Sequence, residues 1–144
     1  MLSNLNRIYN IPPNIKRIIN KPLFFDVSLR DGLQGIPKHR QQSICLNDKI
    51  DIFHSIMFNY RSTKIEIGSI VNPKIIPIMA DSLKIHKYAA NFIKTAASYD
   101  PDLYMVVPNK KGLGVALENG ITNFSFLTAV SDSFQKKNVN KTIQ

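Results

Sequence analysis

The sequence is poor in the residues that define several common protein classes. It has one cysteine, Cys45, in 144 residues, which excludes an internal disulfide. No apolar stretch approaches the roughly 18 residues of a membrane span, and no secretory signal is evident. Acidic residues are scarce, since 10 Asp and Glu accompany 19 Lys and Arg. With 44% hydrophobic residues, the composition predicts a soluble, intracellular, globular protein with one buried core and no membrane partner.

The net charge of +9 raises the question of nucleic-acid binding. The basic residues are spread along the chain without a run of five, and neither a zinc-ligand spacing nor a recognition-helix signature accompanies them. We therefore expect no specific nucleic-acid partner. Nonspecific affinity for polyanions is an expected side effect of the charge.

Residues 1–21 form a basic leader with Arg7, Lys16, Arg17 and Lys21 and no acidic residue. This composition suits a mitochondrial targeting segment, although Pro12-Pro13 and several asparagines weigh against it. The alternative is a short basic arm that lies over the bottom of the fold. Location is accordingly either mitochondrial or cytoplasmic, and residues 22–144 are predicted to form the domain.

Four stretches have the apolar character of buried parallel strands, and helical periodicity separates them. The predicted strands cover residues 22–29, 63–69, 103–107 and 121–128. The predicted helices are one capped by Asn47, one that starts at Pro73 and is extended or followed by another over residues 84–100, and one from Asn109 to Gly120. This pattern predicts an α/β fold of about four parallel βα units. Right-handed crossovers would place all the βα loops at one end of the sheet.

The segment Asp26-Val-Ser-Leu-Arg-Asp-Gly-Leu-Gln34 is the most informative motif, because it lies where the first strand should open into such a loop. Arg30 can hold a carbonyl or carboxylate oxygen, and Asp31 can bind a hard divalent cation. Gly32 lets the backbone turn without steric cost. The same residues also suit an ordinary surface ion pair before a turn, so the motif alone leaves both interpretations open.

Together with three later segments, this motif resembles the 3-hydroxy-3-methylglutaryl-CoA lyases, which are metal-dependent α/β barrels. The later segments are Ile65–Lys74 with Pro77, Met79, Ala80 and Asp81 behind it, Val107–Gly112 with Ala116 and Gly120, and Ser131–Asn140. The resemblance runs from about Pro22 to the last residue and stops in the middle of the family's chain. Because a complete (β/α)8 barrel needs about 250 residues, it implies a partial TIM barrel, the N-terminal half.

A synthase of the same superfamily is a further alternative. Leu29-Arg-Asp-Gly32 also suits isopropylmalate-type synthases, whereas the segment 131–140 resembles the lyases more. The lyases are therefore the favoured family.

The resemblance implies retro-aldol cleavage of 3-hydroxy-3-methylglutaryl-CoA to acetyl-CoA and acetoacetate with a divalent Mg or Mn ion. This reaction belongs to leucine degradation and ketone body synthesis. Arg30 matches an arginine that contacts the substrate and stabilises the enolate, Glu66 matches a glutamate that supports the catalytic site, and Asp31 matches a metal ligand. The further implied substrate-binding residues are Gln34, Ser69, Asn109 and Lys137. Lys137 either meets coenzyme A phosphates or solvates a loop.

The family's remaining ligands, a His-x-His pair and an asparagine, come from later strands, as does its loop cysteine. The three histidines of this chain, His39, His54 and His86, have no spacing that points two rings at one ion. Cys45 lies just before a helix, far from the family's cysteine position. We therefore expect the metal to be weakly bound or lost.

A half-barrel also leaves its first and last strands as apolar edges, so we expect a second copy or a complementary half-barrel chain to cover them. Two functions remain. The chain is either an acyl-CoA carbon–carbon lyase that works with a partner, or a non-catalytic remnant that binds acyl-CoA or protein. The absent ligands favour the second for this chain alone.

Overall fold

Four parallel strands form one open sheet in the computed structural model, which describes residues 24–128, 131 and 133. The strands are β1 (Phe25–Asp26), β2 (Lys64–Ser69), β3 (Asp102–Val106) and β4 (Phe124–Ser125). The helices are α1 (Leu46–Ser55), which a π-helical turn continues over Ile56–Tyr60, α2 (Ser82–Ala96) and α3 (Lys110–Glu118). Shorter helical turns cover Ser28–Gly32, Leu33–Gly35, Lys38–Gln41 and Pro77–Met79.

The strands lie in their sequence order, β1-β2-β3-β4, and every neighbouring pair is parallel. The predicted α/β architecture of four parallel βα units is therefore confirmed. The register pairs Phe25 with Lys64 and Lys64 with Asp102, so the carboxyl ends of β1, β2 and β3 lie at the same end of the sheet. The loops that follow these strands meet there.

The first strand is shorter than the predicted 22–29, and local hydrogen bonds explain why. The Ser28 N–H donates to Asp26 Oδ1 at 2.9 Å. The carbonyl of Val27 then accepts from the N–H groups of Arg30, Asp31 and Gly32. These bonds wind the chain into a helical turn directly after Asp26, so the Arg-Asp-Gly motif lies on that turn.

Two predicted helix starts are also wrong. Helix α1 is capped by Cys45 and not by Asn47, because the Asp48 carboxylate accepts the Cys45 N–H at 2.7 Å in a capping box. The helix predicted from Pro73 starts only at Ser82. Residues 72–79 form turns, since Pro77 cannot continue a helical hydrogen-bond ladder.

The cap of α3 and the start of β3 are close to prediction, whereas β4 is much shorter than predicted. Asn109 caps α3 as predicted, with its Oδ1 accepting the Gly112 N–H at 2.9 Å. Strand β3 starts one residue earlier than predicted, and β4 is confined to two residues of the predicted 121–128.

The core lies between the sheet and the helices. Ile65, Ile67 and Met105 from the strands are at most 1% exposed and pack in one cluster with Phe53 of α1 and Ala89 of α2. Because side chains alternate along a strand, the residues between them face the other way. That second face, named here the open face, carries Phe25, Lys64, Glu66, Asp102 and Tyr104.

Ring contacts support this alternation, since the Phe25 and Tyr104 rings meet edge to face at 5.0 Å across β2. Among the helices of the described residues, none has the length and apolar character needed to cross a membrane.

Candidate functional site at the carboxyl ends of the strands

Arg30 and Glu66 form a largely buried ion pair at the end of the sheet. Glu66 points from the middle of β2, and its side chain is 3% exposed. Arg30 projects from the turn after β1, is 13% exposed, and donates from Nε to Glu66 Oε2 at 2.5 Å. A buried carboxylate needs a cation and hydrogen bonds to offset its lost hydration. Glu66 therefore orients the guanidinium, and both side chains converge as the sequence predicts.

Asp31 extends this pair towards solvent. Its Oδ1 accepts from Arg30 Nη1 at 2.7 Å, and its side chain is 65% exposed. One guanidinium thus links a buried carboxylate and an exposed one. Within the described part of the chain, Nη2 of Arg30 has no partner, so this nitrogen is available to an oxygen of a ligand.

These residues do not form a complete metal site by themselves. Among the described residues, no group of three or more His, Cys, Asp or Glu side chains is arranged to hold an ion. Asp31 offers one carboxylate, and Arg30 already occupies one of its oxygens. A hard divalent cation prefers six or more oxygen ligands, so a cation held by Asp31 alone would keep most of its water.

Ser69 and Gln34 lie on elements that meet at this end of the sheet, namely β2 and the turn that follows Arg30. Ser69 is buried at the end of β2, where its hydroxyl donates to the Val106 carbonyl at 3.4 Å and its N–H donates to Ser82 Oγ at 3.0 Å. Gln34 is half-buried on the turn after Arg30, and its carbonyl accepts from Gln41. The hydrogen bonds of Ser69 thus serve the fold.

Of the remaining candidate residues, the structure describes Asn109 and Ser131. Asn109 lies in the loop after β3, but its side chain caps α3. Ser131 is exposed. The predictions for Lys137 and for the leader 1–21 fall outside the described residues.

Sequence reasoning missed a buried lysine beside the site. Lys49 of α1 is 5% exposed, and its Nζ donates to the Ile78 carbonyl at 2.8 Å and to Asp81 Oδ2 at 3.2 Å. Asp81 also meets Lys84 at 3.6 Å. These bonds of Lys49 hold the loop between β2 and α2 against α1. The signal was present, since Lys49 precedes Phe53 by four residues and so lies on the apolar stripe of α1.

A cavity of about 730 Å³ opens between the loops that follow β1 and β2. Its lining includes Gln34 and Lys38 from the first loop, Lys74 from the second, and the Lys49–Asp81 pair. A cleft of this volume is large enough for a small organic ligand. It lies on the same side of the sheet as Gln34, next to the turn that carries Arg30.

The open face below Glu66 carries a second ion pair. Lys64 Nζ donates to the Tyr104 hydroxyl at 2.8 Å and to Asp102 at 3.2 Å. The hydrogen bond to Tyr104, followed by that to Asp102, raises the pKa of Lys64 above its ordinary value. The described charges on this face are therefore paired with one another.

Known proteins with similar sequences are acyl-CoA lyases. A 3-hydroxy-3-isohexenylglutaryl-CoA/hydroxymethylglutaryl-CoA lyase of Pseudomonas aeruginosa is 30% identical over 138 residues, which cover 94% of this chain and 39% of the relative. A hydroxymethylglutaryl-CoA lyase of Bacillus subtilis is 34% identical over 116 residues, which cover 81% of this chain and 35% of the relative. The chain thus spans well under half the length of these relatives. No family model matches it.

Solved structures of the same family have this fold. The hydroxymethylglutaryl-CoA lyase of Bacillus subtilis superposes with a TM-score of 0.67 at 30% identity, over 85% of this chain and 38% of that one. A lyase of Acinetobacter baumannii, solved with coenzyme A and 3-methylmalate, gives 0.65 at 26% identity over 84% of this chain and 36% of its own. Sequence and fold agree that this chain is related to the hydroxymethylglutaryl-CoA lyases and corresponds to the N-terminal part of their barrel.

Proposed function

We propose that this chain binds the acyl end of a coenzyme A thioester at Arg30 and supplies one half of an acyl-CoA lyase site. The observation that carries this proposal is the Arg30–Glu66 pair. Glu66 holds Nε, Asp31 meets Nη1, and Nη2 is left for a substrate oxygen. A planar, permanent cation held this way suits a thioester or carboxylate oxygen. The related lyases act on 3-hydroxy-3-methylglutaryl-CoA, which makes this thioester the proposed substrate.

In the proposed reaction, a base removes the proton of the tertiary hydroxyl, and the bond between C2 and C3 of the acyl group breaks. The electron pair of that bond passes to the thioester as an enolate, and protonation of the enolate yields acetyl-CoA. Acetoacetate is the other product. Arg30 would stabilise the negative charge that develops on the enolate oxygen, because its guanidinium is fixed before the reaction begins.

The same proposal assigns roles to the remaining candidates. Gln34 would lie near the bound acyl group. Ser69 and Asn109 would line the substrate path in addition to making the hydrogen bonds that stabilise the fold. Lys137 would meet the coenzyme A phosphates. Residues 1–21 are proposed to be either a basic arm or a mitochondrial targeting segment, outside the domain 22–144.

A divalent Mg or Mn ion, as in the related lyases, requires ligands beyond those of this chain's described residues. Asp31 would contribute one carboxylate to that ion. We therefore derive no step through a metal. A complementary half-barrel chain would supply the other ligands, whereas a second copy would add another Asp31 and would still lack the His-x-His pair.

A second candidate is a non-catalytic half-barrel that binds acyl-CoA without cleaving it. One observation favours it, namely that the described residues include no metal-ligand set. The two candidates share the binding step and differ only in turnover.

Release of acetoacetate from 3-hydroxy-3-methylglutaryl-CoA by the purified chain with Mg²⁺ or Mn²⁺ separates them. The lyase proposal predicts turnover that Arg30→Gln abolishes and Arg61→Gln preserves. Arg61 is the matched control because it precedes β2, at the opposite end of the sheet, and lies over the Tyr99 ring. Binding without turnover would leave the non-catalytic candidate or one subunit of a split enzyme, whose partner would then be sought.

A further inference from the structure

The cavity between the loops that follow β1 and β2 carries more positive than negative charge. Its lining includes the lysines Lys38, Lys49 and Lys74 and one carboxylate, that of Asp81. Both oxygens of Asp81 already face lysines, since Oδ2 accepts from Lys49 and Oδ1 lies 3.6 Å from Lys84 Nζ. Lys38 and Lys74 are exposed and form no ion pair with another described residue. The lining therefore favours an anionic ligand.

Two hydrogen-bond donors of this lining are available to such a ligand. Lys49 is 5% exposed, and its ammonium group has three N–H donors, of which the Ile78 carbonyl and Asp81 use two. Gln34 is half-buried, and its side-chain amide makes no hydrogen bond with a described residue. A buried N–H group is more stable when an oxygen accepts from it. These donors suit the oxygens of a bound anion.

The rest of the lining is largely apolar, and it indicates which kind of anion fits. Ile44, Ile76, Pro77 and Ile78 contribute to it, and Ile75 on the same loop is 73% exposed. The volume of about 730 Å³ exceeds what an inorganic ion needs and lies in the range of sites for organic ligands. Lysine side chains commonly bind phosphate groups. An organic phosphate therefore matches the charge, the donors and the apolar surface.

The two ends of this sequence do not supply the missing negative charge. Residues 1–23 contain no acidic residue, and residues 129–144 contain Asp132 together with Lys136, Lys137 and Lys141. Both segments are thus positively charged, as the lining is. Charge complementarity favours a separate anionic ligand over either end of the chain.

We propose that this cavity binds an organic phosphate, with Lys38, Lys74 and the free N–H of Lys49 on the phosphate oxygens. The isoleucines contact the organic part of the ligand. Two sources share this chemistry, namely the nucleotide end of a coenzyme A thioester and a separate organic phosphate. The first source rests on the proposed function, whereas the second does not.

Titration calorimetry of the full chain with ADP tests the site, because coenzyme A contains this nucleotide unit. The double variant Lys38→Gln/Lys74→Gln is expected to weaken ADP binding about 10-fold, since each exposed charge contact contributes a few-fold. Lys87→Gln/Lys94→Gln is the matched control, because it removes the same charge from exposed positions of α2 outside the lining. We expect this control to bind ADP like the parent chain.

Two outcomes would overturn the proposal. Equal weakening in both double variants would show that ADP is attracted only by the net charge of +9. Absence of ADP binding by a chain shown to be folded would show that the cavity is not such a site.

Competition distinguishes the two sources of the phosphate. If the thioester supplies it, saturating ADP weakens the binding of 3-hydroxy-3-methylglutaryl-CoA to the parent chain but not to Lys38→Gln/Lys74→Gln. If the source is separate, ADP leaves the affinity for the thioester unchanged. Arg30→Gln separates this inference from the proposed function, because it is expected to weaken thioester binding and to leave ADP binding unchanged. A chain that binds ADP in this way but no thioester would overturn only the proposed function.

Discussion

Replacing Glu66 by glutamine tests the ion pair that positions Arg30. Glutamine has nearly the same shape and still accepts a hydrogen bond, but it leaves the guanidinium without its buried counter-charge. Removal of one partner from a buried ion pair typically costs about 3–5 kcal/mol. Arg30 keeps Asp31 and is 13% exposed, which reduces the expected loss for Glu66→Gln to about 2–3 kcal/mol.

Equilibrium urea unfolding followed by circular dichroism measures this loss directly. Glu118→Gln is the matched control, because Glu118 is exposed at the last residue of α3 and should change stability by less than about 0.5 kcal/mol. A double-mutant cycle that removes the charges of Arg30 and Glu66 separately and together then isolates their coupling free energy. A loss for Glu66→Gln as small as that of the control, with no coupling to Arg30, would refute the claim that this pair organises the site.

Three further substitutions test the neighbouring contacts and are read out by urea unfolding. Lys49→Met should lower the free energy of unfolding by about 1–3 kcal/mol, because the Ile78 carbonyl loses its donor and Asp81 keeps only Lys84 as a partner. An unchanged urea midpoint would contradict this. Asn109→Ala should cost about 1 kcal/mol through loss of the α3 cap, and an Ala variant as stable as the parent would show that the cap is dispensable. Burial lowers the pKa of His86, so the unfolded chain binds the proton more readily and stability should fall as pH drops below about 6.5. His86→Gln should reduce this dependence of stability on pH, whereas substitution of the exposed His39 by glutamine should not.

The sequence predicted those parts of the fold that depend on periodic apolar patterns. The apolar stretch 63–69 was predicted as a buried strand, and β2 covers Lys64–Ser69. Asn109 was correctly identified as a cap because its side chain reaches the backbone three residues ahead. These features are local, so a single segment contains the information.

Features that depend on competing local bonds or on distant partners were missed. Asp26 captures the Ser28 N–H and ends β1 early, and Asp48 makes Cys45 the helix cap although the preference of Asn47 for that position is stronger. The Lys49–Asp81 pair joins residues 32 apart. Its partner could not be deduced from the helical stripe, although a lysine on that stripe indicates that a partner exists.

Titration calorimetry with 3-hydroxy-3-methylglutaryl-CoA measures whether Arg30, held by Glu66, binds a coenzyme A thioester. We predict saturable one-site binding by the full chain, weakened at least 10-fold by Arg30→Gln because a charge-assisted hydrogen bond contributes about 1.5–3 kcal/mol. Arg61→Gln should bind like the parent chain. Equal binding by Arg30→Gln and the parent, or no binding by a chain shown to be folded, would show that Arg30 does not bind the thioester.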